Sequence, residues 1–133
     1  MSASTAITGV VEQMLDHAAN GRWDELRDVL APSFEITEPD SLPYGGTHHG
    51  VDAYVTLMQR IGEIFDLKFA PDGLHTLSDT KVLLRMHVTF TARATGRRTR
   101  LPVLELLTVN DARVTRSHVF ISDTAALLRT LES

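Results

Sequence analysis

A glutamate in an otherwise uncharged stretch is the strongest chemical signal in this 133-residue chain. Glu105 lies within Leu-Pro-Val-Leu-Glu-Leu-Leu, and strand alternation places it on one face with Val103 and Leu107. A buried carboxylate without a partner is costly, so such a group pairs with a cation, accepts hydrogen bonds or stays protonated. A neutral carboxylic acid in an apolar site can donate a hydrogen bond to a substrate oxygen. The alternative is a salt bridge to Arg85, Arg100 or Arg116.

A second carboxylate has a position suited to general-base chemistry. Glu38 follows the alternating stretch 34–37 and precedes Pro39. We therefore expect it in a loop at the mouth of a cleft between helices and sheet. An acid in a loop beside a rigid scaffold is well placed to move protons. The alternative is an ordinary solvated loop residue.

Residue types for other common chemistries are missing or poorly spaced. The chain has no cysteine, which excludes disulfides and thiolate ligands, and its six histidines form no metal motif such as H-E-x-x-H. His48 and His49 are adjacent, so their side chains diverge, and we expect them at the start of a helix. There is no G-x-S-x-G, P-loop or G-x-G-x-x-G sequence. The sequence therefore predicts neither a metal nor a cofactor.

Composition and charge narrow the classes of partner. A net charge of −4, with acidic and basic residues interspersed, argues against a nucleic-acid-binding surface. Arg97, Arg98 and Arg100 form a local cluster, which we interpret as the solvated end of a hairpin. The apolar runs are shorter than a membrane span, and the N-terminus lacks a secretory pattern. We expect a cytoplasmic protein that binds neither nucleic acid nor membrane.

Most of the helices that must position the two glutamates come before most of the strands along the chain. Apolar residues at helical spacing predict three N-terminal helices, and period-two alternation with turn signals predicts strands after residue 67. The predicted helices span 6–19, 23–30 and 50–65, the strands span 34–37, 81–94, 99–109 and 113–122, and a final short helix capped by Asp123 spans 124–131. This order is typical of an α+β fold in one domain, residues 1–133.

Alternation also indicates which sheet faces are covered. In the strand from Lys81, one face is apolar and must contact the helices; it carries Val82, Leu84, Met86, Val88 and Phe90. The next strand is apolar on both faces, because Leu104 and Leu106 alternate with the face of Glu105. Such a strand needs two covers, and we expect the second to be another copy of the chain. His118 shares a face with Phe120, but the pattern leaves open which face.

Several short motifs, taken in order, resemble the ketosteroid-isomerase and SnoaL-like polyketide-cyclase families of the nuclear transport factor 2-like superfamily. They are Asn-Gly-Arg-Trp-Asp-Glu-Leu, Leu-Ala-Pro-Ser-Phe-Glu-Ile, the stretch 43–53 that begins Pro-Tyr-Gly-Gly, Thr-Gly-Arg at 95–97, and the stretch 122–128. The resemblance covers essentially the whole chain. It implies a curved antiparallel sheet wrapped around the helices to form a cone-shaped pocket, and a homodimer formed through the outer sheet face.

The resemblance also implies roles for particular residues. Glu38 matches the proton-shuttling acid that precedes a proline, and Glu105 matches the acid that donates to the substrate oxygen. The tyrosine that the family carries on its first helix is replaced by Met14, which cannot donate a hydrogen bond. Tyr54 and Tyr44 are the candidate substitutes.

Pattern and resemblance together predict an apolar small-molecule pocket. Its expected walls are Met14, Ala18, Trp23, Tyr54, Leu57, Met58, Met86, Val88, Phe90 and Val103. The function expected is acid–base catalysis, as isomerase, cyclase or dehydratase, on an apolar carbonyl-bearing molecule such as a polyketide- or terpenoid-like intermediate. The alternatives are a non-catalytic binding or dimerisation module and an epoxide hydrolase, which would need an Asp-Arg-Asp cluster that we cannot assign.

Overall fold

The fold combines two long helices, a short C-terminal helix and six strands. A computed structural model describes residues 3–132, with side chains from Ala6 onward. The helices are α1 (Ala3–Ala19), α2 (Val51–Ile64) and α3 (Thr124–Arg129). The strands are β1 (Leu30–Glu38), β2 (Gly46–His49), β3 (Phe65–Thr76), β4 (Lys81–Ala92), β5 (Arg98–Asn110) and β6 (Arg113–Ile121). The predicted α+β class is confirmed.

The strands form one curved, unclosed sheet in the order β2-β1-β6-β5-β4-β3. β1 and β6 are parallel, and all other neighbours are antiparallel. The register shifts between Leu30 and Glu35, between Pro71 and Gly73, and between Thr108 and Val109. Such irregularities bend strands and increase twist. Helices α1 and α2 pack on one face of this bent sheet, which we call the inner face.

The second predicted helix is largely absent. The segment 23–30 contains one 3-10 turn, Glu25–Asp28, so the described residues have two of the three predicted N-terminal helices. Strand pairing replaces the rest, because the Val29 carbonyl accepts a hydrogen bond from the Val114 amide at 2.8 Å and Leu30 already belongs to β1. Pro32 lies inside β1 where the register shifts, a position at which the missing amide hydrogen is tolerated.

A short strand occupies the place where the sequence predicts the start of a helix. His48 and His49 belong to β2, which pairs with β1 opposite Ile36 and Glu35. The helix α2 begins after them, at Val51. The prediction that the two histidines begin the helix is therefore wrong, because backbone pairing with β1 extends the strand to His49.

The two faces of the long strands match the alternation in the sequence. On β4, Val82, Leu84, Val88 and Phe90 are buried against the helices. On the outer face, Leu104 is 40% and Phe120 46% exposed, and Leu106 and His87 are half-buried. His118 lies on this outer face and stacks on Phe120, with ring centroids 4.2 Å apart. Around Leu104 and Phe120 the outer face is uncovered and apolar in one chain, and the homodimer through this face stays a prediction.

The loop between β1 and β2 folds tightly back over the end of β1. The Leu42 amide donates to the Pro39 carbonyl at 3.1 Å, and the Gly45 amide donates to the Leu42 carbonyl at 2.9 Å. A β-carbon on Gly45 would collide with the Pro39 carbonyl oxygen and would lie 2.7 Å from that of Asp40. Glycine is therefore required for this close backbone approach.

Gly45→Ala should destabilise the fold by roughly 1–3 kcal/mol, because backbone atoms next to Glu38 must move to accommodate the methyl group. The matched control is Gly62→Ala in α2, where nothing lies within 4 Å of the added carbon. That change should stabilise by up to about 1 kcal/mol through helix propensity. Urea unfolding of both variants measures the difference. Equal effects in the two variants would contradict this account of the loop.

Candidate functional site

Glu105 is a buried acid whose partner is a hydroxyl. It lies on the inner face of β5, 8% exposed, opposite Val119 of β6 and Leu84 of β4. The fully buried Ser117 donates from Oγ to Glu105 Oε1 at 2.9 Å. Among the described residues, no arginine pairs with this carboxyl. The salt-bridge alternative is therefore wrong.

Each of the three arginines considered as a partner has another position. Arg116 forms an ion pair with Glu35 on the outer side of the sheet. Arg85 lies 3.5 Å from the His75 ring nitrogen, and Arg100 is exposed.

Glu38 is the final residue of β1 and is buried, with 5% exposure. The expectation of a loop position is wrong, because β1 extends to Glu38 and Gly46 of β2 pairs opposite it. The following loop turns back with Leu42 and Tyr44 buried. A signal for this was in the sequence, since Phe34, Ile36 and Glu38 follow the period-two spacing of an inward strand face.

The strand register places the two glutamates in one row. Thr37 pairs with His118, so the next residue, Glu38, lies beside Val119. Val119 also pairs with Glu105. The backbones of the two glutamates are thus two strands apart, roughly 10 Å at the usual interstrand spacing. Both side chains point to the concave inner face, which brings their carboxyl groups closer together.

Burial changes the proton affinity of both acids in the same direction. Desolvation, and then the nearby charge of Glu105, raises the pKa of Glu38 to about 8. Desolvation raises the pKa of Glu105 as well, and the hydrogen bond from Ser117 partly opposes this. At neutral pH the pair therefore retains protons that two solvated glutamates would have lost.

Two tyrosines join this pair of acids. Tyr54 on α2 is 3% exposed, and its ring packs edge-on against Phe34 with centroids 5.3 Å apart. Burial, followed by the charges of Glu105 and Glu38, raises the pKa of Tyr54. Burial and the charge of Glu38 likewise raise the pKa of Tyr44, which lies in the β1–β2 loop. Both phenols are therefore neutral hydrogen-bond donors close to the acids.

We call Glu38, Glu105, Ser117, Tyr44 and Tyr54 the carboxyl cluster. Met14, which replaces the tyrosine expected on the first helix, is fully buried. The cluster combines groups that can accept a proton with groups that can donate hydrogen bonds. Sequence reasoning missed Ser117, because a serine in a strand of mixed polarity carries no signal until the strand register is known.

The predicted pocket walls are all at least partly buried. Met14, Tyr54, Leu57, Val88, Phe90 and Val103 are buried, and Ala18, Trp23, Met58 and Met86 are half-buried. One surface depression of about 400 Å³, lined by polar residues of the sheet's outer side, includes Glu35, Lys81 and Arg116. Another is lined by residues 21–25, including Trp23. Neither reaches the carboxyl cluster, so an open internal pocket stays a prediction.

The histidines make separate side-chain contacts and do not form one cluster. His87 lies 2.8 Å from Asp72, and His17 lies 3.2 Å from Glu25. Within residues 3–132, no group of three or more histidine, aspartate or glutamate side chains is arranged to hold a metal ion. In the same part of the chain, no helix has the length and apolar character needed to cross a membrane.

Comparison with known proteins identifies the family. Residues 11–117 match the model of the SnoaL-like domain, a span that includes Glu38, Glu105 and Ser117. The chain belongs to the SnoaL-like domain family. No curated protein matches it.

Solved structures of low sequence identity share the fold of this SnoaL-like chain. An NTF2-like protein from Burkholderia xenovorans LB400 is 24% identical, with a TM-score of 0.89, over 97% of this chain and 98% of that one. A candidate SnoaL-like polyketide cyclase from Jannaschia sp. CCS1 is 17% identical, with a TM-score of 0.84, over 98% and 94%. An LEH-like epoxide hydrolase from M. tuberculosis is 17% identical, with a TM-score of 0.74, over 98% and 92%. These matches confirm the NTF2-like fold.

Glu38→Gln should make the protein more stable relative to wild type as the pH rises from 4.5 to 8. Below pH 4.5 the carboxyl is protonated in both states and contributes nothing. Between its ordinary pKa of 4.5 and its folded value of about 8, it ionises only in the unfolded chain, which lowers folding stability. The difference should reach a few kcal/mol, at about 1.4 kcal/mol per pKa unit.

Denaturant unfolding at several pH values measures this difference, with Glu12→Gln, at an exposed position of α1, as the control. A gain in stability for Glu38→Gln that is independent of pH in this window would show that Glu38 is solvated.

Proposed function

We propose that the protein is an acid–base enzyme that acts on an apolar, carbonyl-bearing small molecule. Isomerisation, cyclisation or dehydration of a polyketide- or terpenoid-like intermediate fits the residues. The observation that carries the proposal is the pair of buried carboxyls in one cross-strand row, surrounded by apolar residues of the inner sheet face. Carboxyls with strongly raised pKa values in an apolar setting are enriched at catalytic sites.

The two acids have different proposed roles because their contacts differ. Glu38 has no side-chain hydrogen bond or ion pair with any described residue, so its oxygens are free to take a proton from carbon and return it. A pKa of about 8 makes it a stronger base than a solvated glutamate and keeps it near working pH. Positioned proton transfer of this kind typically contributes about 10²–10⁴-fold.

Glu105 is proposed to stabilise the negative charge that develops on the substrate oxygen. Burial raises its pKa and so favours the protonated form, which donates a hydrogen bond. Tyr54, whose pKa is raised by burial and then by the charges of both carboxylates, is proposed as a second donor to that oxygen. It would take the role that Met14 cannot perform on the first helix.

A non-catalytic binding module of the same fold is the main alternative, since fold does not imply function. The loss of the helix-one tyrosine favours it. Two buried acids count against it, because they lower stability at neutral pH and an apolar ligand does not require them. The carboxyl cluster therefore fits an enzyme better than a non-catalytic binding module.

An epoxide hydrolase is disfavoured by the residues at hand. Water activation by an Asp-Arg-Asp cluster needs aspartates inside the fold. The buried polar residues of the described chain are Glu38, Glu105, Ser117 and Thr130. The aspartate–arginine pairs found, Asp16 with Arg22 and Asp52 with Arg27, are on the surface.

A cytoplasmic location and a homodimer through the outer sheet face complete the proposal.

Wild-type protein should catalyse exchange of α-protons for deuterium in at least one member of a panel of apolar cyclic ketones and enones. Proton NMR in D2O detects this exchange without knowledge of the natural product. Glu38→Gln should lower the exchange rate by about 10²-fold or more, because the base is lost. Glu105→Gln should lower it less, because an amide still donates a hydrogen bond.

Native mass spectrometry of the same proteins tests whether the ketones still bind, and Glu12→Gln serves as the unaffected control. Retained binding without exchange in wild type would support the binding module instead. Undiminished exchange in Glu38→Gln would remove Glu38 from the mechanism.

A further inference from the structure

Ser117 is a buried hydroxyl with a restricted choice of partners. It lies on the inner face of β6, fully buried, between Ile36 of β1 and Leu107 of β5, which pair with it across the strands. Both neighbours are buried aliphatic residues that offer no side-chain acceptor. The side-chain hydrogen bond of Ser117 among the described residues is the one to Glu105 Oε1, at 2.9 Å.

The direction of this hydrogen bond determines where the proton of Glu105 resides. If Glu105 Oε1 carried the proton and donated to Ser117, the serine hydrogen would need another acceptor. Its side-chain surroundings provide none, and a buried hydroxyl without an acceptor is costly. Ser117 therefore donates to Oε1, and when Glu105 is protonated, its proton is on Oε2.

Oε2 has no hydrogen-bond partner among the described residues. No fully buried side-chain oxygen or nitrogen of the described chain lacks a partner. Glu105 keeps 8% exposure. Hence Oε2 is the oxygen that remains accessible, and its proton is available to a bound molecule.

We propose that Ser117 is a positioning residue that holds Glu105 by Oε1, so that Oε2–H is presented to an acceptor oxygen of the ligand. The ligand class that fits is a carbonyl compound or an enolate, which accepts hydrogen bonds at oxygen, rather than an alcohol that must also donate. Identifying that oxygen as the substrate's reacting carbonyl rests on the proposed function. The orientation of Glu105 by Ser117 does not depend on the proposed function.

A neutral hydroxyl such as that of Ser117 holds a protonated Glu105 better than a cation would. An arginine next to Glu105 would favour the ionised form and remove the acid proton. A serine hydroxyl opposes the effect of burial on the pKa of Glu105 without reversing it. The other ionisable groups facing Glu105, namely Glu38 and Tyr54, are acids that do not supply positive charge.

The test uses infrared spectroscopy of protein labelled with carbon-13 in glutamate, with the Glu105 band assigned by Glu105→Gln. In wild type at pH 6, the protonated Glu105 carbonyl should absorb at a frequency lowered by the hydrogen bond from Ser117. Ser117→Ala should shift this band to higher frequency. Cysteine is a weak donor of similar size, so Ser117→Cys should place the band between its wild-type and Ser117→Ala frequencies. Thr130→Val should not move it.

Thr130→Val is the matched control, because Thr130 is a buried hydroxyl that donates to the Leu127 carbonyl, remote from the cluster. It tests whether loss of any buried hydroxyl has the same effect. If the Glu105 band is unchanged in Ser117→Ala, or if Thr130→Val moves it equally, Ser117 does not orient Glu105.

A second readout follows the ligand. The frequency of the carbonyl stretch of a carbon-13-labelled apolar ketone should be lower when the ketone is bound to wild type than when it is free. The decrease should be smaller on binding to Ser117→Ala. The exchange rate at saturating ketone should fall roughly tenfold, the worth of about one neutral hydrogen bond, with little change in KM. A shifted Glu105 band in a protein that exchanges no ketone protons would support the orientation by Ser117 and reject the enzymatic proposal. A change in KM with an unchanged saturating rate would overturn the positioning role.

Discussion

The burial of two carboxyl groups on one apolar sheet face is the constraint on which the rest of this structure depends. Removing a carboxylate from water is costly, so a fold that buries two must keep at least one protonated. Here the strand register brings Glu38 and Glu105 into one row, and a charge on Glu105 opposes ionisation of Glu38. The resulting proton affinity is what makes acid–base chemistry the best account of the site.

The fold serves this pair of acids in three ways. The register shifts bend the sheet, so that side chains of separate strands converge on the concave face. The tight loop after Glu38, which depends on Gly45, covers the end of β1 and places Tyr44 beside the acid. Helix α2 supplies Tyr54 from the opposite side. The outer face, which carries exposed Leu104 and Phe120, takes no part in the cluster.

Much of this arrangement is predictable from local sequence signals. Helical spacing predicts α1 and α2, and alternation predicts the long strands and the inward position of Glu105, since each depends on near neighbours in the chain. The strand β2, the placement of Glu38 in one row with Glu105, and the contact of Ser117 depend instead on pairing between strands. The backbone of Val29 and Leu30 illustrates this, because pairing with Val114 ends a helix that the local pattern favours. The same long-range register decides that Ser117, not an arginine, meets Glu105.

The most direct test of the account is a carbon-13 NMR pH titration of the side-chain carboxyls, assigned with Glu38→Gln and Glu105→Gln. We expect Glu38 to titrate near pH 8, far above the ~4.3 of a solvated glutamate. The two carboxyls should titrate as a coupled pair, so Glu105→Gln, which removes the charge that Glu105 acquires as the pH rises, should lower the pKa of Glu38. If both carboxyls instead titrate near 4.3 and neither substitution affects the other group, the two acids do not share a desolvated site, and the proposed acid–base mechanism is wrong.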